Sequence, residues 1–210
     1  MERSDPAAPR RELAELLAQF EAIEADARAL AGTLSETQLN WSPDGRRWSI
    51  GQCLEHLTRT VGLYPAAIVR MIEEARAREA AGRGPYREGW LSRWIVASLE
   101  PPYRLRVRTI PAVEPPGQLE RERVLADFSA AWRQLAELAR AAWQVDPGRA
   151  RMPSPFLRLQ KFTLRQIFFL NAAHGRRHLW QARQVRESPG FPPDQGRQSP
   201  AQPVAKPTPR

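Results

Sequence analysis

His56, His174 and His178 are the only histidines of the chain, and the last two stand four residues apart. On an α-helix that separation turns the side chain by roughly 40° and stacks the pair on one face, about a turn apart. Two imidazoles so placed can share one metal ion, and zinc, nickel, copper and iron all accept the neutral ring. A third imidazole, His56, from a facing helix of a bundle would leave positions open for water or substrate, as a reactive site requires. Spacing alone leaves a second reading open, in which the pair are ordinary surface or core residues. The zinc-peptidase pattern needs a glutamate base directly after its first histidine; here that residue is Gly175, so a peptidase of this type is disfavoured.

The neighbours of the histidines divide between chemistry and packing. Asn171 lies three residues before His174 and Gln181 three after His178, so both can approach the same face and orient an imidazole or a bound water. Helix–helix hydrogen bonding is the competing role for buried amides. Arg177 projects about 60° from His174 and is the one arginine of its region placed to reach a ligand there, whereas Arg165, Arg176 and Arg183 fall on the opposite side. That opposite stripe reads as a solvated face, with an anion-binding or dimer surface next. Glu55 points about 100° from His56 and is a weak general base, and Cys53 reads as a small buried hydrophobe. The seven tryptophans, among them Trp41, Trp48, Trp132 and Trp180, are assigned to packing.

The elements that must carry these residues are helices. Apolar residues recur three or four apart from Arg11 to Gly32, and again from Ser49 to about Ala81, with Ser49 and Gln52 forming a capping box and Trp48 and Cys53 at the staple positions. Pro65 marks a kink or break in that second helix. A third helix spans about Gln118 to Trp143, and a fourth runs from Thr163, capped with Gln166, to about Glu187. Between the second and third lies a long proline-interrupted stretch, residues 82–117, with a short amphipathic piece around Trp90, Trp94 and Leu99. No strand is expected. The fold class is therefore all-α: a four-helix bundle over residues 11–187 with a long crossover between helices two and three, a flexible N-terminus over 1–10 and a Pro-rich disordered tail over 188–210.

Composition narrows the function classes. Of 210 residues 42% are hydrophobic and 26% charged, the balance of one soluble domain with one core. No apolar run approaches the ~20 residues of a membrane span, and residues 1–10 lack a signal peptide's apolar stretch, so no membrane partner and a cytoplasmic location are expected. A single cysteine permits no internal disulfide and no cysteine-rich zinc site. The net charge of +9 is carried almost wholly by arginine and, without a recognition motif or stacking platform, indicates no specific nucleic-acid partner.

Leu39-Asn40-Trp41-Ser42-Pro43, then Trp48-Ser49-Ile50 leading to His56-Leu57, and His174-Gly-Arg-Arg-His178-Leu179-Trp180-Gln181 form an ordered set of signatures. Together they resemble the DinB-like family, the damage-inducible four-helix bundles related to bacillithiol S-transferases. The resemblance implies a divalent metal, commonly zinc or nickel, on His56, His174 and His178, with waters completing the shell. It also implies a low-molecular-weight thiol cosubstrate. The leading expectation is thus a metal-dependent thiol S-transferase acting on a small electrophile. A metal-dependent hydrolase of a small substrate and a non-enzymatic, metal-responsive, stress-related binding protein are the alternatives. Pairing of two copies through an exposed helix face is a further expectation.

Overall fold

The computed structural model describes residues 7–78, 90–102, 109–154 and 161–193. Its helices, in chain order, are α1 (Ala8–Ala31), α2 (Glu36–Asn40), α3 (Ile50–Gly62), α4 (Pro65–Ala77), α5 (Trp90–Leu99), α6 (Arg121–Ala142) and α7 (Leu164–Arg186). Among the described residues a 3-10 turn, Pro111–Val113, precedes α6, and two strands, β1 (Arg151–Pro153) and β2 (Lys161–Thr163), precede α7.

The bundle is built from α1, the collinear-in-sequence pair α3 and α4, α6 and α7. α1 runs parallel to α7, because Glu12, Gln19 and Asp26 meet Arg165, Arg176 and Arg183 in ascending order along both helices. It runs antiparallel to α6, whose first residue, Arg121, bonds the carbonyls of Gly32 and Leu34 just past the end of α1. α3 begins beside the approach to α6, where Gln52 bonds the Pro116 carbonyl, and α4 packs farther along α6 and against β1. α3–α4 and α6 therefore share a direction, and the connection between them has to travel back along the bundle. Consecutive long helices lie diagonally: α1 and α3 each pack on α6 and α7.

Local chemistry explains where these elements start. Ser49 accepts from the Gln52 amide while Gln52 answers the Ser49 amide, and Thr163 with Gln166 does the same for α7. A third capping box, Ser35 with Gln38, opens the short α2. Each such cap is worth ~1 kcal/mol. The second predicted helix divides at Leu63–Tyr64, and Pro65 takes the first position of α4, where its missing N–H costs nothing. The apolar core between the helices centres on Trp132, which Phe20 meets edge-on at 5.4 Å and Phe128 at a tilt at 5.7 Å between centroids, beside Leu16, Leu54, Leu57 and Phe168. Full burial of such side chains stabilises by about 1.5–3 kcal/mol each.

Three boundaries differ from the sequence reading. α1 begins at Ala8, because Pro9 is compatible with a first helical turn, so residues 8–10 belong to the bundle. The strands are a correction to an all-helical reading: Met152 pairs with Phe162 and both are buried, but three residues are too few to show an alternating pattern in sequence. The chain also stays on the bundle past Ser188. Phe191 meets Trp41 edge-on at 5.5 Å and the Pro192 carbonyl accepts from Gln38. Residues 1–6 and 194–210, and residues 79–89 and 103–108 of the long connection, lie outside the described residues. No described helix is long and apolar enough to cross a membrane.

Candidate metal centre

α3 and α7 face each other across the bundle, and the three histidines meet at that interface. Ring centroids stand 4.7 Å apart for His56 and His178, 5.2 Å for His56 and His174, and 4.5 Å for His174 and His178. One nitrogen of each lies within 4.8 Å of one nitrogen of the others. His56 and His178 are 5% and 7% exposed, and His174 is the most open of the three.

The outer nitrogens of two rings are already committed. His56 Nδ1 lies 2.9 Å from the Val113 carbonyl oxygen, an acceptor only, so that nitrogen carries the proton and Nε2 keeps its lone pair. His178 Nδ1 lies 3.0 Å from Gln181 Oε1, which fixes its tautomer in the same sense. His178 Nε2 and His174 Nε2 approach to 3.0 Å. Metal-binding histidines are characteristically held through the ring nitrogen that faces away from the ion.

Electrostatics points the same way. Burial pushes all three imidazoles below the usual range, His174 to about 3, so each is neutral near pH 7. Repulsion among the rings lowers His174 and His178 further, and so does the Arg177 guanidinium. Among the described residues no cysteine or carboxylate joins the cluster. Three neutral nitrogen donors, two of them oriented from behind, fit a divalent metal ion. His56, His174 and His178 would hold it.

The other residues singled out by sequence take varied places. Gln181 is the partner of His178, and Arg177, 7% exposed, is buried beside the histidine pair. Asn171 is buried on α7 with its Nδ2 turned back to the Ile167 carbonyl at 2.8 Å. Cys53 is fully buried, and its thiol is pushed well above its ordinary pKa. Glu55 pairs with Arg59 at 2.6 Å. The arginine stripe is a correction: it is a seam of ion pairs, sheltered at Arg165 and still half-exposed at Arg183, in which Arg165 grips Glu12 through two bonds of 2.7 and 2.9 Å, Arg176 holds Glu100 and Gln19, and Arg183 meets Asp26 at 2.8 Å. Helical projection gives the side of α7 on which these arginines lie but not that α1 covers it.

Gly175 has a packing reason. A Cβ there would fall 2.7 Å from Trp132 Cη2 and 2.9 Å from Ile23 Cδ1, inside contact distance of two core side chains. No side chain, glutamate included, fits after His174 without moving the core.

Two features of the centre escaped the sequence reading. The Val113 carbonyl is backbone, delivered by a turn that begins at Pro111, and carries no residue-type signal. Trp48, read as packing, lies with its ring centroid 4.7 Å from His56 and 5.6 Å from His178. Its position just before the cap of the histidine-bearing α3 was the available clue.

No functionally curated protein matches the chain. Among solved structures it is similar to YfiT from Bacillus subtilis, described as a probable metal-dependent hydrolase with an unusual four-helix bundle topology. The two share 14% identity with a TM-score of 0.54, over 89% of this chain and 92% of that one, a likeness of fold. The DinB superfamily profile matches residues 19–182, a span that includes all three histidines and the caps of α3 and α7. The chain belongs to the DinB superfamily.

Proposed function

We propose that the protein is a divalent-metal-dependent enzyme of small molecules, with zinc or nickel on His56, His174 and His178, and that its reaction transfers a low-molecular-weight thiol to an electrophile. The observation that carries this reading is the donor set: three neutral imidazoles beside a buried arginine, with no carboxylate among the described residues to serve as base. When bound, the ion supplies Lewis acidity, which lowers the pKa of a thiol enough to dispense with a protein base. The protein's own part is to fix two of the three lone pairs, those of His56 and His178, through Val113 and Gln181, and to hold the Arg177 charge near an anionic ligand.

A second reading, hydrolysis of a small substrate, is favoured by the description of YfiT. The same Lewis acidity would then act on water. Metal-loaded protein assayed with an electrophile across a thiol panel, and with activated esters and amides without thiol, separates the two. Metal-dependent loss of thiol supports transfer; turnover only of the esters or amides supports hydrolysis. Absence of both at full metal occupancy sinks the enzyme reading.

A further inference from the structure

We propose that Trp48 is the substrate-selecting wall of the metal centre, favouring ligands that carry a planar apolar group beside the head that reaches the ion. The inference rests on the metal reading above and concerns what the centre accepts.

Trp48 ends the connector between α2 and α3, one residue before the Ser49 cap. A staple residue at this place needs only to cover Cys53, and any large apolar side chain serves. The Trp48 ring does more: it spans from His56 on α3 to His178 on α7, lying 4.7 and 5.6 Å from their centroids at tilts of 46° and 31°. It therefore reaches across the α3–α7 interface beside both rings. Yet Trp48 is only half-buried, unlike the core tryptophan Trp132. Aromatic surface left in water beside a site of neutral rings is surface that a bound ligand can cover.

The connector is built to hold that wall still. Asp44 accepts from the amides of Arg46 and Arg47 at 2.9 and 2.8 Å, and the Ser42 hydroxyl donates to the Arg47 carbonyl at 2.6 Å. Gly45 takes φ +68°, a conformation that side-chain-bearing residues rarely adopt. At its far end Trp41 is braced by Phe191.

The test uses the full-length protein loaded with cobalt, whose visible spectrum reports ligand binding without turnover. Acetohydroxamate and benzohydroxamate present the same chelating head, and only the second carries an aromatic ring. Wild type is expected to bind benzohydroxamate on the order of 10-fold tighter, the scale of one well-packed aromatic contact. Trp48→Ala should reduce that preference to about two-fold or less, with the cobalt spectrum of the ligand-free protein unchanged, and Trp48→Phe should keep most of it. Trp48→Leu, which retains the apolar staple, gives the same readout if the alanine variant does not fold. An undiminished preference in the alanine or leucine variant overturns the wall, as does the absence of any preference in wild type. Failure of the wild type to take up cobalt overturns the metal reading and the wall together, whereas cobalt uptake without the preference overturns the wall alone.

Discussion

Arg165, Arg176 and Arg183 of α7 each meet a carboxylate, two from α1 and one, Glu100, just past α5, whereas His174 and His178, on the other side of the same helix, meet other imidazoles, Trp48 and Gln181. The arginine side keeps its charges and spends them on docking α1 and the end of α5. The histidine side gives up its charges and keeps its lone pairs. Polar groups on one helix are thus used for assembly where partners of opposite sign surround them, and left available for a ligand where neutral rings and a guanidinium, Arg177, surround them instead. The comparison also separates what each face should lose when altered.

The histidine face should fail first as a metal site. His178→Ala removes one of three nitrogen donors and frees Gln181, so metal affinity should fall by more than the ~10–100-fold typical of losing an outer hydrogen bond, the loss expected for Gln181→Ala. Metal analysis of tag-free protein checks both. Equal metal content in wild type and His178→Ala would refute the assigned centre, and Arg183→Gln should leave content unchanged.

The same face should make the metal-free protein acid-sensitive. An unfolded histidine takes up its proton near pH 6.5, whereas burial lowers the folded ones, His178 well below that and His174 to about 3. Between those values the unfolded state binds more protons, so stability falls as the pH drops, by up to about 2 kcal/mol per buried histidine at pH 5. Urea midpoints of metal-free protein from about pH 7.5 to about 5, which spans the histidine range, measure the slope. His174→Gln should flatten it; an unchanged slope would mean the rings are not held neutral.

Much of this centre was legible before any coordinates. The i, i+4 pair, the two capping boxes and Pro65 are local signals, and local signals survive translation into structure because they depend on a turn or two of helix. What was illegible depends on distant chain. The Val113 carbonyl reaches His56 across 57 residues, and the acids that meet Arg165 and Arg176 come from α1 and the end of α5. The four-helix bundle was legible from periodicity, whereas the diagonal placement of α1 and α3 follows from which apolar faces interlock, and no single helix carries that information.

Gly175 sits between the two faces and should respond on both. Gly175→Ala drives a methyl to 2.7 Å from Trp132 and 2.9 Å from Ile23, an overpacking worth about 1–3 kcal/mol. Chemical denaturation reads that cost. Because His174 is the preceding residue, metal affinity should fall as well; a variant as stable as wild type would show that the core there yields more easily than its packing indicates.

The arginine face should show the smallest effects, graded by burial. Arg165 and Glu12 are 14% and 20% exposed, joined by two bonds, with the guanidinium 4.7 Å over the Phe169 ring. Arg183 and Asp26 are 43% and 49% exposed and joined less closely to their surroundings. Arg165→Met should therefore cost about 1–2 kcal/mol, because Glu12 is left half-buried without its partner. Arg183→Gln should cost about 0.5 kcal/mol or less, and salt at about 1 M should erase the difference from wild type, since an exposed pair is screened within a few ångströms. If both substitutions cost the same in low salt, the seam works by net charge alone, and the contrast between a sheltered pair at the start of α7 and a wet one near its end disappears.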